Sequence, residues 1–177
     1  MKKVLPFALL LTALSANNVI AAETNPNLQQ LQQTLAANPN DASALNKLGE
    51  AFFRAGQYAE AEQVWQKSLA IREKELSPDH PNLATSLNNL AEVYREQGKL
   101  AQAETLYLRS LGIYEKALGA EHPMVATSLN NLAALYYIQG KYAQAEPFYL
   151  RSLAIDEKST GQNSPDVAGD LNNLAQL

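Results

Sequence analysis

Apolar residues follow a helical spacing over the central part of the chain. Leu87, Leu90, Ala91 and Tyr94 fall at positions i, i+3, i+4 and i+7, which places them on one face of an α-helix. After Gly98 the same spacing continues over a longer stretch, at Ala103, Leu106, Tyr107, Ser110, Leu111 and Tyr114. The pattern predicts two helices, A and B, that share a buried stripe and are separated by a turn.

This two-helix pattern repeats every 42 residues. Residues 80–121 and 122–163 are identical at 27 of 42 aligned positions. Both copies contain Ala-Thr-Ser-Leu-Asn-Asn-Leu-Ala and Tyr-Leu-Arg-Ser-Leu, and matching residues continue back to residue 38 and forward to Leu174 and Ala175. A two-helix unit of this size cannot bury its apolar stripe alone, so neighbouring units are expected to stack and share a core.

Small residues recur where helices A and B are expected to touch. Helix A carries Gly49, Ala91, Ala133 and Ala175, and helix B carries Ala61, Ala103 and Ala145. The recurring serines of helix B are interpreted as small packing residues; they are Ser68, Ser110 and Ser152. The recurring aromatic residues are interpreted as core; they are Phe52, Tyr94, Tyr136, Trp65, Tyr107 and Tyr149.

Glycine and proline mark the expected helix boundaries. Gly56, Gly98 and Gly140 are placed to end helix A in a left-handed conformation. A proline recurs at the expected start of helix A, and the residue before it is predicted to cap the helix; these residues are Asn38, His80, His122 and Ser164. Pro147 lies a few residues inside the third helix B, which predicts an irregular start or a bend there.

The pattern Leu-x-x-Leu-Ala-x-x-Tyr-x-x-x-Gly-x-x-x-x-Ala-x-x-x-Tyr resembles the tetratricopeptide repeat (TPR). The 42-residue period, the Leu-Asn-Asn-Leu-Ala string and the His-Pro junction resemble the subclass found in kinesin light chains and many bacterial arrays. The resemblance implies an all-α fold, a right-handed α-α superhelix (TPR solenoid) of antiparallel helix pairs. It implies a protein-binding or peptide-binding role, although the family binds many unrelated partners.

The repeats divide the chain into segments. Leu28, Leu31 and Leu35 predict an N-terminal capping helix within residues 23–37. Three repeats follow at 38–79, 80–121 and 122–163, with a partial fourth at 164–177 that has helix A only. The apolar Leu171 and Leu174 leave two alternatives for that last segment: a natural cap, or a chain truncated at Leu177.

The first 22 residues have the features of a cleavable secretory signal. A basic head with Lys2 and Lys3 precedes an apolar run that stops at Asn17, too short for a membrane span, and cleavage is expected after Ala22. This predicts a periplasmic or secreted protein with no stable membrane span after cleavage. The remaining chain has a net charge of 12 − 18 = −6, which disfavours nucleic-acid binding.

Few residue types suited to catalysis or metal binding are present. The chain has no Cys, two His and no Gly-rich phosphate loop, so no catalytic site, cofactor or metal is expected. His80 and His122 lie one repeat apart without a third ligand type beside them, which favours helix capping over zinc binding. The chain is therefore predicted not to be an enzyme.

The resemblance implies that a partner binds along the polar side of helix A, which lines the concave groove in TPR proteins. The candidate groove residues are Asn46, Lys47, Arg54, Thr85, Asn88, Asn89, Arg95, Asn130, Asn131, Tyr137, Ile138 and Asn172. The asparagines could bind a peptide backbone or tie one helix to the next. The structural role is favoured for Asn88 and its equivalents, and the binding role for Asn89 and Asn131.

Tyr137 and Ile138 have no packing reason within the repeat, so they suggest a pocket for an apolar or aromatic anchor. Lys47, Arg54 and Arg95 would suit an acidic group on the same ligand. The favoured hypothesis is an exported scaffold or adaptor of the bacterial envelope. Two alternatives remain: the binding region of a longer enzyme or signalling protein, and self-association through the C-terminal face.

Overall fold

The structure, a computed structural model, describes residues 26–177. In this range it contains eight α-helices and no strand: α1 Pro26–Ala37, α2 Ala42–Arg54, α3 Tyr58–Glu75, α4 Pro81–Glu96, α5 Leu100–Leu118, α6 Pro123–Ile138, α7 Tyr142–Thr160 and α8 Pro165–Ala175. The predicted all-α fold is confirmed. The predicted signal segment, residues 1–22, lies outside the described residues.

The helices belong to two compact units, one reaching Ile71 and the other comprising residues 72–177. The boundary falls inside α3. In both units a helix A is followed by a helix B after a short turn, so the two helices of a pair run antiparallel. Helix A corresponds to α2, α4, α6 and α8, and helix B to α3, α5 and α7.

The core of the first unit is built around Trp65. Its indole Nε1 donates a hydrogen bond to the backbone oxygen of Asn46 at 3.0 Å, and the side chain is 1% exposed. Gly49 lies directly against the indole ring, because a Cβ at this position would be 2.3 Å from Nε1. Leu35 of α1 is fully buried in the same unit, in agreement with a capping role for that helix.

The second unit packs its A and B helices through small residues. Ala91, Ala103, Ala133 and Ala145 are all fully buried, as the sequence predicts, whereas Ala175 is exposed. Leu87 and Leu129 are fully buried in the same core.

The recurring serines of helix B do more than fill space. In each pair the hydroxyl donates to a backbone oxygen near the start of helix A: Ser68 to Ala42 at 2.8 Å, Ser110 to Ala84 at 2.8 Å, and Ser152 to Ala126 at 3.0 Å. A buried hydroxyl needs such a partner, because burying an unpaired polar group is costly. The serines therefore fix how far helix B slides along helix A.

Charged residues on successive B helices of the second unit also repeat their contacts. Arg109 pairs with Glu73 at 2.7 Å, and one repeat later Arg151 pairs with Glu115 at 2.5 Å. These pairs are well exposed, so each contributes little to stability.

Most predicted helix boundaries are confirmed. Nδ1 of His80 and of His122 accepts a hydrogen bond from the backbone N–H two residues on, both at 3.1 Å, and Ser164 Oγ accepts from Val167 N–H at 3.2 Å. Gly98 and Gly140 end their helices with positive φ angles of 73° and 71°. A side chain there would be strained, which explains why glycine recurs.

The cap predicted for the first repeat is wrong. Asn38 does not cap α2, because that helix begins three residues after Pro39, at Ala42. Asp41 is the cap, and its carboxylate accepts from the N–H groups of Ser43 and Ala44 at 3.0 and 2.9 Å. Asn38 instead forms a local turn, its side-chain oxygen accepting from Asn40 N–H at 3.1 Å.

Of the two effects predicted from Pro147, the irregular start is wrong, and the bend stays a prediction. Helix α7 begins at Tyr142, in register with the start of α5 at Leu100, and remains helical through Pro147. The first bonds of the two helices match, since Ala103 N–H and Ala145 N–H each donate to the residue four before at 3.1 Å. Proline removes a single backbone donor, and packing of the surrounding helix outweighs that loss.

We expect Gly49→Ala to destabilise the protein, because the added methyl group would overlap the Trp65 indole. Overpacking of this kind costs about 1–3 kcal/mol, which exceeds the gain of about 0.5–1 kcal/mol that alanine brings over glycine in a helix. Thermal unfolding followed by circular dichroism measures the loss. Emission of Trp65, the single tryptophan, should shift to the red.

Gly112→Ala is the matched control. Gly112 is exposed within α5, and a Cβ there meets nothing within 4 Å. This variant should be stabilised by about 0.5–1 kcal/mol. Equal melting temperatures for the two variants would contradict the packing described for Trp65.

Candidate peptide-binding surface and acidic cleft

In the first unit, two of the three predicted site residues lie together on a cleft between α1 and α2. Lys47 and Arg54 are exposed and line a cleft of about 540 Å³, with Glu50 between them and Thr34 opposite. Asn46 is buried, and its side-chain amide donates to Glu50 at 2.8 Å. Asn46 therefore supports helix α2 and its contact with Trp65, while the two basic residues face solvent.

In the second unit, the asparagines form bonds between successive A helices. Asn131 Nδ2 donates to Asn88 Oδ1 at 3.2 Å and lies 3.4 Å from Glu92 Oε1. One repeat later, Asn173 Nδ2 donates to Asn130 Oδ1 at 2.9 Å. The second asparagine of each pair thus reaches the first asparagine of the preceding repeat.

This ladder agrees with the structural role favoured for Asn88 and Asn130. The sequence favours a partner-binding role for Asn131. In the structure it has a structural role instead, because its amide donates hydrogen bonds to Asn88 and Glu92. Asn89 is half-buried and Asn172 is exposed, and their binding role stays a prediction. Thr85 is half-buried too, with its hydroxyl 2.7 Å from the Tyr114 hydroxyl.

Arg95 and Tyr137 both act electrostatically on the buried phenol of Tyr149. Burial raises the pKa of Tyr149. Interactions with Tyr137 and Asp170 raise this pKa further, whereas the positive charge of Arg95 lowers it. Arg95 also forms an ion pair with its neighbour Glu96 at 2.7 Å. Arg95 of α4 and Tyr137 of α6 therefore both act electrostatically on the same phenol of α7.

Tyr137 has a packing partner that the sequence did not reveal. Its ring centroid lies 5.4 Å from that of Tyr142, which is 49% exposed at the start of α7. Ile138, next in the chain, is 55% exposed. We call Tyr137, Ile138 and Tyr142 the apolar corner; as a group they leave a large apolar surface in contact with solvent.

Three acids that sequence reasoning missed line a second cleft, of about 270 Å³, where α6, α7 and α8 meet. They are Asp156 of α7 with Asp166 and Asp170 of α8. Asp170 is only 3% exposed, and its Oδ1 accepts from Ser152 Oγ at 3.3 Å. We call this the acidic cleft. A signal was present in the sequence, since Asp170 replaces Ser86 and Ser128 of the earlier repeats at a position on the buried side of helix A.

Ionisation of Asp170 is disfavoured in the folded protein. Burial and the neighbouring Asp156 carboxylate raise the pKa of Asp170 to about 6, and the Ser152 hydroxyl opposes this rise. Asp166 adds a further negative charge. Burial, together with Asp166, also raises the pKa of Asp156.

Within residues 26–177, no group of three or more His, Cys, Asp or Glu side chains is arranged to hold a metal ion. Nor is any helix in that range both long and apolar enough to cross a membrane.

We expect Asp170→Asn to change the pH dependence of stability. The folded-state pKa of about 6 lies above the ordinary 3.8. The folded protein therefore binds this proton more tightly than the unfolded chain, and the unfolding free energy falls as pH rises between these values. Asparagine cannot ionise, so the variant should be more stable than the original at about pH 7.5, by on the order of 1–3 kcal/mol. Melting curves at several pH values measure the difference, which should nearly vanish at about pH 4.

Glu146→Gln removes an exposed acid from the same helix α7 and serves as the control. Its stability should follow that of the original protein at every pH. If the stabilities of Asp170→Asn and the original protein changed in parallel with pH, the raised pKa of Asp170 would be contradicted.

Comparison with solved structures gives the same architecture. The TPR-like repeats of a Podosopora anserina protein classed with the kinesin light chains are 24% identical, with a TM-score of 0.71 over 94% of this chain and 85% of that one. BtubC (BKLC) of P. vanneervenii is 25% identical, with a TM-score of 0.71 over 93% of this chain and 65% of that one. The N-terminal domain of stress-induced protein-1 from C. elegans is 19% identical, with a TM-score of 0.54 over 76% of this chain and 94% of that one.

No curated protein matches the sequence significantly. The tetratricopeptide repeat family matches three overlapping segments, residues 40–116, 87–158 and 124–177. These segments cover most of the chain and coincide with the helix pairs α2 to α8. The chain therefore belongs to the tetratricopeptide repeat family.

Proposed function

We propose that this chain is an exported scaffold or adaptor of the bacterial envelope that binds a segment of a partner protein on its A helices. TPR arrays are protein-interaction modules, and the tetratricopeptide repeat family matches most of this chain. We propose accordingly that the chain is not an enzyme. The side chains that support binding, Ile138 and Tyr142 above all, are exposed and lie outside the buried core.

The apolar corner is the observation that carries the proposal. Tyr142 and Ile138 are about half exposed, although the equivalent positions one repeat earlier are Leu100 and Glu96. Exposed apolar groups of this size are typical of interaction surfaces. Arg95 acts electrostatically on the same Tyr149 phenol as Tyr137, so we propose a ligand with an aromatic or aliphatic anchor and an acidic group.

We expect Tyr137→Ala to weaken peptide binding strongly. Peptides would be selected by phage display on the mature protein, and affinities measured by fluorescence polarisation. Truncating an aromatic anchor costs about 2 kcal/mol or more, which is roughly thirty-fold in affinity. Arg95→Gln should weaken acidic peptides only, and mainly at low salt, because salt screens exposed charges.

Leu108→Ala is the matched control, since Leu108 is a large apolar side chain that is 45% exposed on α5. It should leave affinity unchanged. Selected peptides that bind Tyr137→Ala and the original protein equally well would rule out the apolar corner as the anchor site.

The export part of the proposal rests on the basic head and short apolar run of residues 1–22. Expression of the full sequence in a Gram-negative host should give a periplasmic product whose first residue is Glu23. Cell fractionation and N-terminal sequencing measure this. An uncleaved product that stays in the cytoplasm would contradict export.

Self-association is a second candidate, favoured by the apolar face of α8. Leu171 of α8 is 51% exposed and Leu177, just beyond the helix, is 37% exposed, while Val167 of α8 is buried. Light scattering of the mature chain distinguishes the two, because a dimer that Leu171→Glu converts to a monomer would favour self-association.

A further inference from the structure

One position of helix B changes its charge along the array. Arg72, Tyr114 and Asp156 occupy the same place in successive B helices, 42 residues apart. The positions opposite, on the following helix A, also change. Asp170 occupies the position that Ser86 and Ser128 hold in the earlier repeats. Asp166 occupies the position of Asn82 and Met124.

At the first of these junctions the position holds a guanidinium group. Arg72 Nη1 donates to Ser86 Oγ at 2.8 Å and to the backbone oxygen of Asn82 at 2.7 Å. The Arg72 side chain is partly buried, and this burial lowers its pKa. The second unit therefore shows that a guanidinium fits between a helix B and the helix A that follows it.

At the last junction the same place is acidic. Asp156 and Asp170 line the same cleft, where the Asp156 carboxylate disfavours ionisation of Asp170 and Asp166 acts electrostatically on both. Asp170 Oδ2 is fully buried and has no hydrogen-bond partner among residues 26–177. Of the described groups that shift the pKa of Asp170, none is a cation.

Placing ionised carboxylates together in a partly buried cleft destabilises the folded protein unless a proton or a cation neutralises their charge. Two ionised carboxylates in contact repel each other, and a buried oxygen without a donor forfeits its hydrogen bond to water. A proton held on Asp170 relieves the repulsion in part. A cation with several N–H donors would relieve it fully and satisfy Oδ2 as well.

The cleft has room for one side chain. Its volume of about 270 Å³ is below that of sites for drug-sized molecules. Gly169 contributes to this space, since it stands where the earlier repeats carry Thr85 and Thr127 and a Cβ there would meet nothing within 4 Å. Neutral groups complete the lining, namely Thr127, Asn130 and Asn173.

We propose that the acidic cleft binds the guanidinium of an arginine side chain from a partner polypeptide, held by Asp156, Asp166 and Asp170. The bound group would take the place that Arg72 fills at the first junction. This inference goes beyond the proposed function, because it does not require the apolar corner or a groove-bound peptide.

Binding should depend on pH. The charged or titratable groups that act on Asp170 are Asp156 of α7 and Asp166 of α8, and α6 contributes only neutral residues to the cleft. Protons compete with the guanidinium for the carboxylates, so affinity should rise as pH increases from about 5 to about 7.5. Simple attraction to the negatively charged surface would show much less change over this interval, since most exposed carboxylates are already ionised.

The test uses the mature protein, labelled with ¹⁵N, and N-acetyl-arginine amide as the probe. Titration at about pH 7.5 should give saturable shifts confined to Gly169, Asp170 and the side-chain amides of Asn130 and Asn173. N-acetyl-citrulline amide has the same shape without the charge and should give none. Asp156→Asn and Asp170→Asn should each weaken the probe roughly tenfold or more, as expected for charge-assisted hydrogen bonds.

Two further variants sharpen the result. Glu146→Gln removes an exposed acid from α7 at a distance from the cleft and should bind the probe normally. Asp156→Arg should recreate the Arg72 arrangement inside the chain, abolish probe binding and raise the melting temperature at neutral pH.

Three outcomes would overturn the proposal: equal shifts with the citrulline probe, unchanged binding by Asp156→Asn, or titration of Asp170 with no saturable response to arginine. In the last case the acids would be a proton-sharing pair only. Failure of Tyr137→Ala to affect peptide binding would not bear on this site, so the two proposals fail separately.

Discussion

The close contact between helix A and helix B within each pair is the constraint on which the rest of the structure depends. Ala103 and Ala145 are fully buried there, and Gly49 lies against the face of Trp65 with no room for a methyl group. The buried serine hydroxyls add a fixed point, because each must find its one backbone acceptor on the partner helix. Small residues set the distance between the helices and the serines set the register.

In the second unit, the polar sides of successive A helices come next to each other once each pair is fixed. The asparagine ladder is a consequence, since Asn131 reaches Asn88 and Asn173 reaches Asn130 across the gap between repeats. These amides are used to join repeats, which leaves less of the polar face for a partner. Accessible side chains include the apolar corner, where α6 ends and α7 begins, and, in the first unit, Lys47 and Arg54.

At the junction between one helix B and the next helix A, the side chain at one position differs in charge from repeat to repeat, while the helix pairs are the same. The same position carries a cation bonded to a hydroxyl at Arg72, a phenol bonded to Thr85 at Tyr114, and a carboxylate facing another carboxylate at Asp156. Each substitution leaves the helices in place because the small-residue contacts hold them. A repeat fold can therefore tolerate acids that raise one another's pKa at one junction.

The sequence by itself determined the repeat, the helix pairs, the glycine turns, the histidine caps and most of the core. These features depend on local spacing and on residue size, both of which are visible in one dimension. It failed for the first cap, because Asp41 rather than Asn38 caps α2, and for the irregular start expected at Pro147, because α7 begins in register with α5. Only the tertiary structure decided that Asn131 is bonded, that Tyr137 packs on Tyr142, and that Asp156 and Asp170 meet. The physical reason is that each of these contacts joins different helices, and one of them joins side chains 43 residues apart, so that its existence depends on how helices are placed and not on any local pattern.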